Sequence, residues 1–473
     1  MKNLKNIFRA YDIRGTYPDK INGKIAYKIA IAFANKLNPK TVAVGKDMRS
    51  ASDDVCDGII NGLLDSGVNV KNMGQITNPM LGFSVWKYGL DGGIIASASH
   101  DAIGYAGIKM MSKNAITVAG NDPEIKNPVL SDDLKTSDTK GKIENLDIKA
   151  DYLKFLLSFI DAKSIKPLKV FINPFFGSIG LIIKDIIKNL PIKPIYFQAE
   201  PTKDFGKIIE PDPLTKEIRT DSITEFKKSG SDFGTMWDGD GDRCFFIDEN
   251  GDFINAPYIT ALISKHILEK YPNSKIVGDS RIIWPIQKSI KENNGKFIES
   301  KAGYKFIKEK MAKVNAILGA EMSGHYFFKS NHNCDNGIIP LFWILEILSQ
   351  TDKKLSQLVA PYKQGHFMID EIEIVGKNFD EISKKLKSHF TGLKQCSSSF
   401  SLFNTLKRGL RYFDANHDFN NYKINETDGL TVEADDFRFN IRPSNTEPDI
   451  KLNIEAKSKK TLDQIKTEVL KLI

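Results

Sequence analysis

The chain is 473 residues long, 41% hydrophobic and 27% charged, with 67 Lys and Arg against 59 Asp and Glu for a formal charge of +8. That length exceeds what a single hydrophobic core sustains, so about three or four domains are expected, of ordinary soluble globular composition. The mild positive bias suits anionic small molecules; without a dense basic run interleaved with aromatics it makes no case for nucleic acid.

Strands are predicted at 41–45, 93–98, 169–173, 233–238, 275–279 and 316–319. Helices are predicted at 24–37, 53–66, 151–160, 180–189, 258–270, 304–313, 338–349 and 460–472. This alternation argues for α/β domains on mixed, largely parallel sheets, whose active loops belong at the carboxyl ends of strands. From about residue 366 the pattern changes. Strand-like segments at 369–375 and 437–442, helices near 380–389 and 460–472, and a polar stretch at 414–425 read as a separate α+β domain. Polar residues at 139–147, Pro and Gly at 361–365, and a third break near 251–257 divide the chain into 1–148, 149–252, 253–365 and 366–473. No close tandem repeat or low-complexity tract is visible.

The four cysteines, Cys56, Cys244, Cys334 and Cys396, are far apart and form no C-x-x-C spacing. This speaks against a disulfide framework or zinc site and for a reducing, cytoplasmic compartment. Residues 1–15 are charged and lack an apolar core, so no secretory signal is expected. The most apolar segment, 338–348, is too short to span a bilayer and carries Glu346, so it reads as a buried helix and no membrane partner is expected.

Four loops carry chemistry. In Ser97-Ala98-Ser99-His100-Asp101 a serine ends a strand as an exposed nucleophile would, with His100 or Lys109 to handle its proton. It is not a G-x-S-x-G elbow, which leaves a hydrolase with little support. In Asp238-Gly239-Asp240-Gly241-Asp242-Arg243 three carboxylates alternate. Along an extended segment they share a face and converge. They would repel unless a hard cation sat between them, and oxygen ligands select Mg²⁺ or Ca²⁺ over a soft metal. A calcium-sensor loop would place Gly where Arg243 stands, although Glu249 falls at its twelfth position. Arg243 offers a planar fork to a phosphate. In the loop 319–325, Glu321, Ser323 and His325 alternate and face one cleft, suited to sugar hydroxyls and phosphate. In Arg442-Pro443-Ser444-Asn445-Thr446-Glu447-Pro448, a Pro-bounded turn gathers donors for an anion. Taken singly, each loop also has an ordinary structural reading, as a capping serine, a solvated acidic turn, a polar connection or an Asx turn. Together they supply a nucleophile, a metal site, a polyol reader and an anion clamp, one from each quarter of the chain.

This ordered set resembles the α-D-phosphohexomutases, nearest to the bacterial phosphomannomutase/phosphoglucomutase group, over nearly the whole chain. Phe8-Arg9-Ala10-Tyr11-Asp12-Ile13-Arg14-Gly15 is similar to the group's N-terminal signature, and Gly45-Lys46-Asp47-Met48-Arg49 to its next strand-end loop. Ser99-His100 falls where the family carries its phosphoserine. Departures are Asp101-Ala102 where Asn-Pro is usual, Ala106 for Asn, Ile108 for Phe, Tyr304 where many relatives carry His, Arg281 for Lys, and a long segment at 394–425.

The resemblance implies three similar α/β domains and a C-terminal α+β domain around a central cleft. It also implies an isomerase, an intramolecular phosphotransferase that interconverts hexose 1-phosphate and 6-phosphate through a phosphoserine enzyme and a hexose 1,6-bisphosphate. Ser99 would carry the phosphate. One Mg²⁺ would be held by Asp238, Asp240, Asp242 and a Ser99 phosphate oxygen. Arg243 and Arg14 would orient the transferring group. Lys109 would be the general acid/base, ahead of His100, provided a cationic pocket lowers its pKa. Tyr11, Arg281, Tyr304, Glu321, Ser323, His325, Arg442, Ser444, Asn445 and Thr446 would bind the sugar phosphate. Glu321-Met322-Ser323 favours mannose or glucose over glucosamine. The alternatives are a phosphoglucosamine mutase, a phosphosugar-binding relative that has lost catalysis, and a magnesium phosphatase. The expected partner is the phosphosugar alone, on a monomer or dimer.

Overall fold

The structure, a computed structural model, describes residues 4–396, 422–444 and 449–473, with 392–396 as backbone alone. Asn445, Thr446 and most of the 394–425 segment lie outside the described residues.

The first sheet comprises β1 (Ile13–Thr16), β2 (Thr41–Lys46), β3 (Asn69–Gln75), β4 (Gly92–Ala96), β5 (Tyr105–Ser112), β6 (Ile116–Val118) and β7 (Ile143–Asn145), in the order β1-β5-β4-β2-β3-β7 with β6 on β5. Along β2, Val42 and Val44 face the helices Gly23–Leu37 and Ser50–Asp65, while Ala43 faces the core that also holds Met80 and Leu81 of the helix Asn78–Lys87. A strand covered on both faces reads as a continuous apolar run. The two helices cross closely because Gly58 and Gly62 lack side chains there; a Cβ on Gly58 would stand 2.2 Å from the Gly23 carbonyl oxygen.

The second sheet holds β8 (Lys169–Asn173), β9 (Lys193–Tyr196), β10 (Phe233–Trp237), β11 (Cys244–Ile247) and β12 (Phe253–Ile254), ordered β12-β11-β10-β8-β9. The third holds β13 (Lys275–Asp279), β14 (Lys296–Ser300), β15 (Leu318–Ala320), β16 (Tyr326–Phe328) and β17 (Cys334–Asp335), ordered β14-β13-β15-β16-β17. Strand β12 lies beyond the division expected at 252/253 and still pairs with β11, so the edge of the second sheet reaches Ile254.

All three sheets share one plan. A central strand (β4, β10 or β15) has parallel neighbours on one side and an antiparallel pair on the other. In each, the turn from the central strand into its antiparallel partner is one of the chemical loops found in the sequence. The sheets are therefore mixed, and the antiparallel half supplies the turn.

The fourth sheet is wholly antiparallel: β18 (Phe367–Met368), β19 (Ile372–Ile374), β20 (Lys423–Asn425), β21 (Leu430–Glu433), β22 (Phe437–Pro443) and β23 (Ile450–Ala456). Helices Phe379–Cys396 and Lys459–Leu472 complete an α+β domain with its own core, including Phe390, Phe439 and Leu452. One continuous core instead joins the other three domains, from Phe83 through Trp237 to Phe342. The apolar helix forms at Ile339–Ser349 and belongs to that core. Among the described residues no helix is long and apolar enough to cross a membrane.

Some elements differ from expectation. The predicted helix 180–189 is a 3₁₀ turn, Ser178–Leu181, and a short helix, Ile183–Ile187, separated where Ile182 takes φ −128°. The strand predicted from 316 starts at Leu318, because Asn315 ends the preceding helix in the left-handed conformation with φ 56°.

Candidate active site

Ser99 lies just past β4, is 1% exposed, and takes φ +52°, a left-handed conformation costly for a residue with a side chain. Its N–H donates to Ser97 Oγ at 2.9 Å, and its hydroxyl donates to Asp238 Oδ2 at 2.9 Å. His100 Nδ1 stands 3.2 Å from Ser99 Oγ, and its Nε2 stands 3.4 Å from Arg243 Nη2. A guanidinium only donates, so Nε2 accepts and the neutral ring carries its proton on Nδ1, toward Ser99. Burial, followed by Arg243, Arg14 and Lys109, pushes His100 well below its ordinary range and keeps it neutral.

The Asp101 carboxylate turns away from the serine and pairs with Arg14 Nη1 at 2.9 Å; Arg14 Nε also holds Asp12 at 2.8 Å. Arg49 donates to the carbonyls of Ser99, Asp101 and Ala102 at 2.8, 2.5 and 3.0 Å.

The acidic loop is the turn between β10 and β11. Asp238, Asp240 and Asp242 are each at most 1% exposed, and one oxygen from each lies within 4.8 Å of the others. Asp240 accepts from Ser97 Oγ at 2.8 Å and Asp242 from Asn78 Nδ2 at 3.0 Å, so the first domain orients ligands on the second. Buried Asp240 Oδ1 has no hydrogen-bond partner, and Asp242 Oδ1 is met by His325 Nε2 at 3.2 Å. Burial and the neighbouring Asp242 and Asp240 push Asp238 well above the carboxylate range. Against burial, Lys109 and His325 hold Asp242 well below it. Three converging carboxylates, one of them with an orphaned buried oxygen, make an all-oxygen set that fits a hard divalent cation.

Lys109 Nζ lies 2.7 Å from both Asp240 and Asp242. Burial opposes its charge, but the two carboxylates prevail and hold it above its ordinary value. The expected lowering of Lys109 is therefore corrected: its nearest neighbours are acids rather than cations.

The sugar-reading loop is the turn between β15 and β16. Glu321 accepts from Gly303 N at 2.6 Å and lies 3.2 Å from His325 Nδ1; Ser323 Oγ lies 3.1 Å from the same nitrogen. His325 Nε2 stands 3.2 Å from Asp242 Oδ1. Despite burial, Asp242 and Glu321 lift His325 to about 10, so it bridges the two loops as an imidazolium. Arg281 follows β13 and is held by Asp279 at 2.6 Å. Tyr304 donates from its hydroxyl to the Tyr11 carbonyl at 2.7 Å, and the two rings lie 4.6 Å apart.

Arg442, from β22, reaches Glu371 at 3.3 Å, and Arg281 lies 3.8 Å from the same carboxylate oxygen. All these groups surround one cavity of about 320 Å³, whose wall includes Tyr11, Arg14, Ser99, His100, Lys109, Arg243, Arg281, Tyr304, Glu321, Ser323, His325, Arg442 and Ser444. The three aspartates are outside that wall and meet it through Ser99 and Lys109. Asp212, Glu371 and Lys451 also line the wall and went unnoticed in the sequence. Asp212 stands in a Pro-Asp-Pro turn, a rigid-turn signal that was there to be read; Glu371 and Lys451 carry no local signal.

Four domains that bring Ser99, Arg243, Glu321 and Arg442 to the wall of one cavity, with the aspartate trio hydrogen-bonded to the serine loop, have the architecture of a phosphohexomutase, an enzyme that moves a phosphoryl group within a sugar phosphate. The chain belongs to the phosphoglucomutase/phosphomannomutase family. Its alpha/beta/alpha domains I, II and III match residues 5–136, 150–251 and 255–364, and its C-terminal domain matches 413–472. The phosphomannomutase of Escherichia coli K12 is 33% identical over 99% of both chains, and that of Vibrio cholerae is 33% identical over 99% of this chain and 98% of its own. The crystal structure of a phosphoglucomutase/phosphomannomutase family protein from Burkholderia thailandensis shares the fold with a TM-score of 0.84 at 24% identity, over 99% of this chain and 97% of that one.

Proposed function

We propose that this enzyme interconverts the 1-phosphate and 6-phosphate of mannose, glucose or both, by way of a phosphate carried on Ser99 and a hexose 1,6-bisphosphate that is intermediate and activator. The observation that carries the reading is the Ser99 hydroxyl in hydrogen-bond contact with Asp238 inside a cavity walled by all four domains. In the first half-reaction a sugar hydroxyl oxygen bonds to phosphorus as the bond from phosphorus to Ser99 Oγ breaks; in the second, Ser99 Oγ bonds to the other phosphorus of the bisphosphate as that phosphorus parts from its sugar oxygen, which leaves as the hydroxyl.

Asp238, Asp240, Asp242 and an oxygen of phosphorylated Ser99 would hold one Mg²⁺. Such an ion supplies charge neutralisation on the transferring group. His100 donates a hydrogen bond from Nδ1 to the serine oxygen as that oxygen is released. Lys109 is the proposed acid/base: its ammonium, the resting form, gives a proton to the departing Ser99 oxygen and the amine so formed takes the proton of the attacking sugar hydroxyl, so that it donates before it accepts. Arg243 and Arg14 orient the phosphoryl group. Glu321, Ser323 and His325 take the sugar hydroxyls. Arg442 and Ser444, with Asn445 and Thr446, take the distal phosphate, helped by Arg281, Tyr11 and the Tyr304 side of the wall. Near-complete burial of Ser99 keeps water from its phosphate. The proposed compartment is the cytoplasm, in keeping with three buried free thiols among the described residues.

Intact-mass analysis and peptide mapping of active enzyme are expected to find one phosphate, on Ser99, and Ser99→Ala to abolish turnover. Active enzyme without phosphate at Ser99 would overturn the reading. Coupled assays with mannose 1-phosphate, glucose 1-phosphate and glucosamine 1-phosphate, each with a trace of bisphosphate, are expected to show turnover of the first two. Turnover of glucosamine 1-phosphate alone would reassign the substrate.

A further inference from the structure

Arg49 stands outside the cavity wall, 3% exposed, between β2 and the helix Ser50–Asp65. One edge of its guanidinium meets the carbonyls of Ser99, Asp101 and Ala102, the backbone that carries the nucleophile. Asp47 steadies it at 3.4 Å and is itself fixed by Arg49 N at 2.9 Å and Ser52 Oγ at 2.6 Å.

Its flat face lies over the ring of Phe205, 5.0 Å from the centroid. Phe205 belongs to the second domain, and its turn is stitched to the chain on either side of Arg49. Asp204 N donates to the Met48 carbonyl at 2.9 Å, and the Asp204 carboxylate accepts from Ser50 N at 2.8 Å and from Ser50 Oγ. The same ring borders the acidic loop. A Cβ on Gly239 would stand 3.0 Å from Phe205 and 2.6 Å from the Ser99 carbonyl oxygen, so Gly239 fits between the two.

We infer that Arg49 is a positioning residue for phosphoryl transfer: with Phe205 it fixes the spacing between the Ser99 loop of the first domain and the aspartate loop of the second. The inference rests on Ser99 as the phosphate carrier, as proposed above. Only a planar fork meets three carbonyls at its edge while stacking on a ring; an ammonium retains the charge and loses both the fork and the stacking face. Misplacing reacting groups by about 1 Å costs about 100-fold in rate.

Arg49→Lys is therefore expected to lower kcat about 100-fold. The rate at which Ser99 takes phosphate from hexose 1,6-bisphosphate, read by rapid quench and mass spectrometry, should fall in parallel. KM should stay within about twofold of the parent, because Arg49 does not touch substrate. Phe205→Leu, which keeps an apolar filling but removes the flat face, is expected to give an intermediate fall in kcat at unchanged KM, and it decides the matter if Arg49→Lys does not fold. Parental kcat in the folded variants, or a KM that rises in step with the loss, would overturn the inference. Parental activity in Arg49→Lys with an inactive Ser99→Ala overturns the Arg49 role alone. An active Ser99→Ala removes the phosphate carrier and the positioning role with it.

Discussion

Asp101 and Tyr304 both depart from the family pattern, and each is accounted for by a partner. The Asp101 charge is paired with Arg14, 2.9 Å away. The Tyr304 hydroxyl ties the third domain to the Tyr11 carbonyl of the first. Tyr304→Phe leaves that carbonyl without its donor, a loss of about 1–3 kcal/mol that a lowered urea midpoint would register. The buried thiols give a pH signature. Burial pushes Cys56 up from 9.0 to about 12, with Lys46 opposing. Between those values the unfolded thiol ionises and the folded one does not, so the Cys56 contribution to stability is intact below pH 9 and is lost as pH climbs toward 12. At pH 9, iodoacetamide followed by peptide mapping should leave Cys56 unlabelled in native enzyme and label it after denaturation. Labelling of the native protein would contradict the burial.

At the level of strands and turns, the aspartate turn and the sugar-reading turn are joined backbone to backbone. Cys244 N donates to the Gly324 carbonyl at 3.0 Å, and Arg243 bridges His325. Gly324 makes this approach possible: it takes φ +87°, and a Cβ there would stand 2.7 Å from the Phe245 ring. Gly324→Ala should cost about 1–3 kcal/mol in strain. By pulling His325 from Asp242 it should lower kcat/KM about tenfold or more, measured in the coupled assay. Much of this was legible beforehand. Alternating Asp238, Asp240 and Asp242, and alternating Glu321, Ser323 and His325, announce turns whose side chains share a face, and strand-end position placed Ser99. The equivalence of the three turns was not legible. It resides in strand order, and the sequences that build β4, β10 and β15 share little beyond a buried apolar character and a glycine as second residue. Strands β3 and β5 carry no local strand signal, because Asn69–Gln75 and Tyr105–Ser112 mix Asn, Lys, Gly and Ser into the run. Their pairing partners, rather than local propensity, make them strands. Arg49 was noticed in a motif without a role, since its three carbonyl partners lie 50 or more residues away.

Over the whole molecule, three domains share a core, and the fourth is attached chiefly through polar contacts, with Met368 packed on that core. Glu455 accepts from Ile283 N and Trp284 N at 3.0 and 3.1 Å, at the start of the helix Trp284–Glu292, and meets Arg438 at 3.5 Å. Arg438 in turn reaches Glu299 at 3.2 Å and the Arg281 carbonyl at 3.0 Å. Glu455→Ala removes the acceptor for two backbone donors and a buried guanidinium. The fourth domain should then undock more readily, seen as a larger radius of gyration in solution scattering and faster proteolysis near residue 365. KM for the sugar phosphate should rise, because Arg442 moves with that domain. An unchanged scattering profile and KM would show that the attachment does not depend on this carboxylate.

Glu371 lies against both Arg281 and Arg442, 3.8 and 3.3 Å away. The anion clamp thus has a resident counter-ion of its own. A bisphosphate that must let go at one end and be gripped at the other need not abandon bare guanidinium groups, whose exposure in a desolvated cleft would be costly. On the proposed mechanism Glu371 would re-pair with the two guanidinium groups as a phosphate departs, making release an exchange of one anion for another.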